Sequence, residues 1–269
     1  MIWYYAEKNR GMEEFILLKS GLTSVTFRNL KPLEIIRLSN KSGLNGIEWG
    51  GDVHVPPKDV KLAKQVERMT TEEGLEVSSY GSYFRLVKNE TNDFLNVVET
   101  AIVLKAPIIR VWAGSMGSKE ADPAYRQKLV EQSYKIAEIA DDAGIMVAFE
   151  FHNNTLADTS EAVLGLLKDI AHHNMKTYWQ PHTHASTSTN LKELKAVLQN
   201  LTNVHAFYFS DDKNKGLLQE GLDDWRQYIQ AVSTTDKDHW VLLEFVKDNS
   251  EESFFKDAET LKELLAEYN

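Results

Sequence analysis

A chain of 269 residues with 42% hydrophobic content is long enough to bury a full core as one domain, since α/β barrels commonly occupy about 250 residues. It contains no cysteine, which excludes disulfides, thiolate metal ligands and cysteine nucleophiles and leaves any metal to His, Asp, Glu or amide oxygens. A net charge of -10, with no Lys/Arg stripe interleaved with aromatics, argues against a nucleic-acid partner. No apolar run reaches the roughly 20 residues of a membrane span, and the start MIWYYAEKNRGMEEF lacks a basic-then-apolar signal pattern, so an untargeted, cytoplasmic chain is expected.

In chain order, β-branched or apolar runs at Ser24–Phe27, Gly46–Trp49, Leu75–Ser79, Ile108–Trp112, Ile145–Phe151, Thr177–Trp179, Val204–Phe209 and Trp240–Phe245 predict about eight strands. Between them, apolar residues recur at helical spacing, as in Val60, Ala63, Val66 and Met69 or Leu191, Leu194, Val197 and Leu198. Start signals accompany these segments: Asp122 before Pro123, Asp158 three before Glu161, Asn190 three before Glu193, and Ser250 before Glu251 and Glu252. Gly74 and Gly144 supply stops. Strict alternation of about eight strand–helix units closes most simply as a single-domain (β/α)8 barrel over residues 1–269. The alternative, an open doubly wound sheet, lacks its support: neither GxGxxG nor GxxxxGK[ST] follows the first strand.

In such a barrel the residues that end the strands share one mouth, and those that enter them lie on the opposite, structural face. His54, His152, His182 and His184 follow strands and His205 lies within the seventh. His172 and His173, at a helix end, and His239, entering the last strand, read as structural. Glu150 and Glu244 are embedded in the apolar strands IMVAFEFH and WVLLEFV, where a lone charge is costly and must be compensated. Backbone amides or an arginine such as Arg28, Arg85 or Arg110 would do so. A divalent cation held by both, with His205 adding an imidazole, would do so equally. Glu48, Trp49 and His54 around the second strand end, Tyr80, Tyr83 and Arg85 in SSYGSYFR, and Trp112 and Trp179 outline a polar mouth with aromatic walls, suited to a sugar; the same aromatics read as packing if they turn away from the mouth.

The stretches GIEWGGDVHVP, SSYGSYFR, IIRVWAG, FEFHNNTLADT, YWQP and LLEF resemble the xylose-isomerase-like barrel superfamily of sugar phosphate isomerases and epimerases over nearly the whole chain. The resemblance implies a TIM barrel with a divalent Mn2+, Mg2+ or Zn2+ held by Glu150, Gln180, His205 and Glu244. Gln180 departs from the family's aspartate, and Thr183 from the histidine that often follows it, so the site keeps two carboxylates instead of three. The implied chemistry is isomerisation or epimerisation of an aldose, ketose or related polyol through an enediolate, with Glu150 and Glu244 as the acid/base pair. Substrate contacts would come from Glu48, Trp49, His54, Tyr80, Arg110, Trp112, His152, Trp179 and His182.

The same pocket would serve a keto-sugar or keto-glycoside lyase or dehydratase, or, without metal, a sugar-binding protein. An abasic-site endonuclease, as in the superfamily's DNA-repair branch, is the weakest reading, because the basic surface and the larger ligand set are missing. Acidic residues at the last helix starts argue for an unphosphorylated substrate, with Lys213 and Lys247 as the counter-evidence. A homo-oligomer is open, as is a lid role for the loop Ser115–Ala121.

Overall fold

A computed structural model describes residues 17–210 and 214–269; the sequence start and Lys213 lie outside them. Eight strands form a closed barrel in sequence order: β1 (Leu18–Thr23), β2 (Gly46–Gly50), β3 (Glu76–Arg85), β4 (Ile108–Trp112), β5 (Met146–Phe149), β6 (Met175–Trp179), β7 (Leu201–Ala206) and β8 (His239–Leu243). Every neighbour pairs in parallel, and β1 closes the ring against β8 through Leu18–His239 to Leu22–Leu243. The crossover helices are α1 (Pro32–Ser42), α2 (Val60–Glu72), α3 (Phe94–Leu104), α4 (Pro123–Asp141), α5 (Ser160–Ile170), α6 (Thr187–Val197), α7 (Leu222–Val232) and α8 (Glu251–Ala266). The chain is thus a single-domain (β/α)8 TIM barrel.

The first strand falls earlier than its sequence signal. Leu18–Thr23 pairs in the barrel, whereas Ser24–Phe27 forms a 3-10 turn at the mouth. The turn is pinned from two sides: the Ser24 hydroxyl accepts the Gly50 N–H at 2.8 Å, and the Thr26 hydroxyl donates to the Leu243 carbonyl at 3.3 Å. Strand β3 runs on to Arg85 through a register shift after Gly81, and β7 starts at Leu201 and stops at Ala206, leaving Phe207–Phe209 to the following loop.

Helix starts follow capping chemistry. The Asp122 and Ser250 side chains accept the Tyr125 and Ser253 amides, as their positions suggest. Two other start signals point elsewhere. Thr159 caps α5, while Asp158 accepts the Ser118 amide at 2.9 Å; Ser186 caps α6, while Asn190 is buried and bonds the main chain of His182. Gly74 and Gly144 end their helices at φ +76 and +69, in the left-handed region where a side chain is strained. The apolar faces so aligned pack on the barrel: Ala63, Val66, Val163, Leu166, Leu194 and Val197 are all fully buried.

Candidate active site

Within a strand, successive side chains face opposite sides, and this sorts the polar residues of the barrel. Glu48, Arg110, Tyr178 and His205 point inward and are almost fully buried, and Glu150 and Glu244 follow directly on the ends of β5 and β8. Arg110 stands at the centre. Its Nη2 lies 2.8 Å from Glu48 Oε1, its Nε donates to the same oxygen at 3.0 Å, and its Nη1 donates to Glu150 Oε2. Ser79 donates to the second Glu48 oxygen at 2.8 Å, and Asn203 donates to the Tyr178 hydroxyl at 2.8 Å. Burial pushes the Glu48 carboxyl up, but the Arg110 guanidinium and the His205 imidazole beside it win and hold it well below the usual carboxylate range. This crowding needs Gly81: an added Cβ would lie 2.6 Å from Arg110 Nη2 and 3.0 Å from Glu48 Oε1.

His205 links this cluster to a second one. Its Nε2 is 3.5 Å from Glu48 Oε1, while its Nδ1 faces Gln180 Oε1 at 3.2 Å and Glu244 Oε2 at 3.4 Å. Burial lowers an imidazole, but Glu244 and then Glu48 outweigh it and push His205 up to about 10. Among the described residues Glu244 Oε2 accepts no hydrogen bond and has only the His205 ring at 3.4 Å, an incomplete pairing for a buried carboxylate. An amide oxygen, a carboxylate oxygen and an imidazole nitrogen converge in one buried space, a donor set that fits a hard or borderline divalent ion once the ion displaces the His205 proton that now pairs with Glu244. Three of the four expected ligands therefore come together, and the fourth, Glu150, is turned onto Arg110.

The mouth has its own layer. Trp112, half-buried at the end of β4, carries the His152 ring at 4.5 Å and the Arg85 guanidinium at 3.9 Å. His152 Nδ1 is 2.7 Å from the Asn153 carbonyl, which can only accept, so Nδ1 donates, and in the neutral ring the lone pair lies on Nε2. Tyr83, over Arg110 at 5.4 Å, and Phe245, next to Glu244, both have φ +57, a conformation costing about 1–3 kcal/mol that concentrates at functional sites.

A family model described as xylose isomerase-like TIM barrel matches residues 36–264. The chain belongs to that family. Its relatives include the 3-dehydroshikimate dehydratase of Bacillus anthracis, 24% identical over 267 residues, covering 87% of this chain and 93% of that protein. Among solved xylose isomerase-like barrels, the probable 3-DHS dehydratase of Bacillus anthracis involved in petrobactin synthesis superposes with a TM-score of 0.77 at 20% identity, over 91% of this chain and 99% of the other. D-psicose 3-epimerase from Clostridium cellulolyticum gives 0.71 at 13% identity, over 93% and 99%. A xylose isomerase-like protein from Mycobacterium smegmatis in complex with magnesium gives 0.73 at 15%, over 93% and 97%.

Within this family barrel, several expected substrate contacts turn away from the mouth. Trp49, Tyr80 and Trp179 are fully buried between barrel and helices, with Trp179 packed on Trp225 and Tyr228 of α7 and the Tyr80 hydroxyl donating to the Val55 carbonyl at 2.7 Å. His54 is buried too, its Nδ1 2.9 Å from the Ser24 hydroxyl and its Nε2 3.2 Å from the Leu30 carbonyl, which leaves neither nitrogen for a substrate. The outward register of these side chains, invisible in a run such as GIEWGG, is the reason. His182 is half-buried against Phe151 in the loop after β6, and burial lowers its imidazole. Tyr178, Ser79 and Asn203 were missed by sequence reasoning; strict alternation from the outward Trp179 and Tyr80 would have pointed to the first two.

On the opposite face, His239 has both ring nitrogens engaged, by Thr202 and Thr235. His172 and His173 follow α5 and, with Asp141, bring ligand atoms within 4.8 Å of one another, a candidate cation group on the exposed surface. The amide of Asn174 donates to His172 Nδ1 at 3.2 Å, which occupies one lone pair of that group. In the loop Ser115–Ala121, the amides of Ser115 and Ser118 are held by Tyr125 and Asp158. Lys247 is paired with Glu220 at 3.3 Å.

Proposed function

We propose that this barrel is a carbon–oxygen lyase, a dehydratase that removes the proton next to a carbonyl in a small polyhydroxylated substrate and expels a β-hydroxyl as water. The observation that carries this reading is the divided labour of His152 and Glu150. Glu150 is engaged by Arg110, whereas His152 Nε2 has no hydrogen-bond partner among the described residues, with Nδ1 on the Asn153 carbonyl and the ring tilted against Trp112 at 4.5 Å. His152 takes the α-proton through Nε2; the C–H electron pair forms the new double bond as the β C–O bond breaks, and the imidazolium returns its proton to the departing hydroxyl. Gln180, His205 and Glu244 are the residues that would hold a divalent cation, and Glu150 would join them only by leaving Arg110. When bound, such an ion polarises the carbonyl and stabilises the negative charge that develops on its oxygen. Arg110 holds Glu48 and Glu150 in place and balances part of their charge. The full-length similarity to a 3-dehydroshikimate dehydratase supports elimination as the outcome.

A second reading, isomerisation or epimerisation of a sugar, is favoured by the buried, unbonded Glu244 oxygen facing the same space from β8, and by the likeness to D-psicose 3-epimerase. Proton NMR in D2O, with protein supplied with Mg2+ or Mn2+, separates the two on 3-dehydroshikimate and D-psicose. Loss of water with new vinylic or aromatic protons, slowed about 100- to 10,000-fold in His152→Gln, is the expected result. Deuterium incorporation at a carbinol carbon without water loss would replace the lyase with the epimerase.

A further inference from the structure

Arginines 28, 85 and 110 stand around the mouth, and their charges meet different company. Arg28 pairs with Asp52, and Arg110 with Glu48 and Glu150. Arg85, the last residue of β3, makes no ion pair among the described residues. Its plane is nevertheless fixed: the guanidinium lies 3.9 Å from the centre of the Trp112 indole, and Nη1 donates to the Gly114 carbonyl at 2.7 Å. Nε and Nη2 make no hydrogen bond within the described residues, so one edge of the fork remains available. This immobilised, half-buried guanidinium has no carboxylate in contact among the described residues and feels Glu150 only at longer range, which suits it to an anion brought from outside.

The surroundings decide which anion. A phosphate would need more positive charge or a helix N-terminus free of acids, but Lys247 is already paired with Glu220, and α8 opens with Glu251 and Glu252. A single planar carboxylate matches the single remaining edge. The His152 ring rides on the same indole as Arg85, so an acid held there lies beside the proposed base.

We infer that Arg85 is a carboxylate subsite and that the substrate is a hydroxylated keto acid, not a neutral sugar. This deepens the lyase reading, and rests on it only for the location of the reacting carbons.

Isothermal titration with 3-dehydroshikimate and 5-keto-D-gluconate, each beside its methyl ester, tests the inference in wild-type protein without any substitution. At least one acid is expected to bind tenfold or more tightly than its own ester. Arg85→Met should then lower acid affinity about 10- to 100-fold while leaving the ester unchanged, with Arg85→Lys between the two. Equal binding of acid and ester, binding of neither acid, or a preference that survives Arg85→Met would overturn it. Acid binding through Arg85 without turnover supports the subsite and removes the lyase; loss of water from a neutral sugar with no preference for acids keeps the lyase and removes the subsite.

Discussion

Arg110 governs the charge of the barrel interior. Three carboxylates, Glu48, Glu150 and Glu244, gather in a space from which water is largely excluded, and one guanidinium binds two of them. A buried ion pair is worth little beside a good apolar replacement, but removing one partner strands the other's charge. Arg110→Met should therefore destabilise the protein by about 3–5 kcal/mol at neutral pH, measured by urea unfolding. The sign of the pH dependence follows from Glu48, whose folded carboxyl is held below its unfolded value. Its contribution is present above the unfolded carboxylate pKa and is lost as pH falls toward the folded one, so the gap between wild type and variant should narrow below about pH 4.

Among the elements, β3 and α8 carry the most information. Strand β3 supplies Ser79 to Glu48, leaves Gly81 bare so that Arg110 can pass, turns Tyr83 into a left-handed conformation and ends on Arg85. In sequence only its first half reads as a strand, because a bulge and a run of small polar residues interrupt the alternation. The other elements were legible where apolar period and caps agreed, as at Asp122–Pro123 or Gly144. They were illegible where a polar side chain served tertiary structure instead of its own helix, as with Asp158 and Asn190. The site was legible to the extent that charge in an apolar strand is costly, which picked out Glu150 and Glu244. It was illegible where only register decides, as between Tyr178 and Trp179. Helix α8 contributes a different observable. Asp257 is buried and accepts the Leu218 amide at 2.8 Å, and burial pushes its carboxyl up to about 6. A carboxyl raised on folding favours the folded state most when protonated, so its contribution declines as pH rises from about 4 to about 6 and stays low above. Asp257→Asn, which keeps an acceptor for that amide, should flatten the stability profile over this window and add about 1–3 kcal/mol at pH 7 by chemical denaturation.

For the molecule as a whole, ring closure brings β5, β6, β7 and β8 together around Gln180, His205 and Glu244, so cation binding and global stability should be coupled. An ion at a hundred times its dissociation constant adds about 2.7 kcal/mol to folding. In a chain of this size that corresponds to a rise in Tm of roughly 5–10 °C, reversed by EDTA and absent in Glu244→Gln; a Tm indifferent to Mg2+, Mn2+ and Zn2+ would count against a metal at this position. The buried guanidinium bears on the order of assembly. Small zinc domains stay unfolded until their ion arrives, because nothing else neutralises their ligands. Here part of the counter-charge is encoded in the polypeptide, on β4, and arrives with translation. The barrel can therefore close without an ion, and if a divalent ion binds at Gln180, His205 and Glu244, loading it would be a late, exchangeable step governed by whichever ion the surroundings supply.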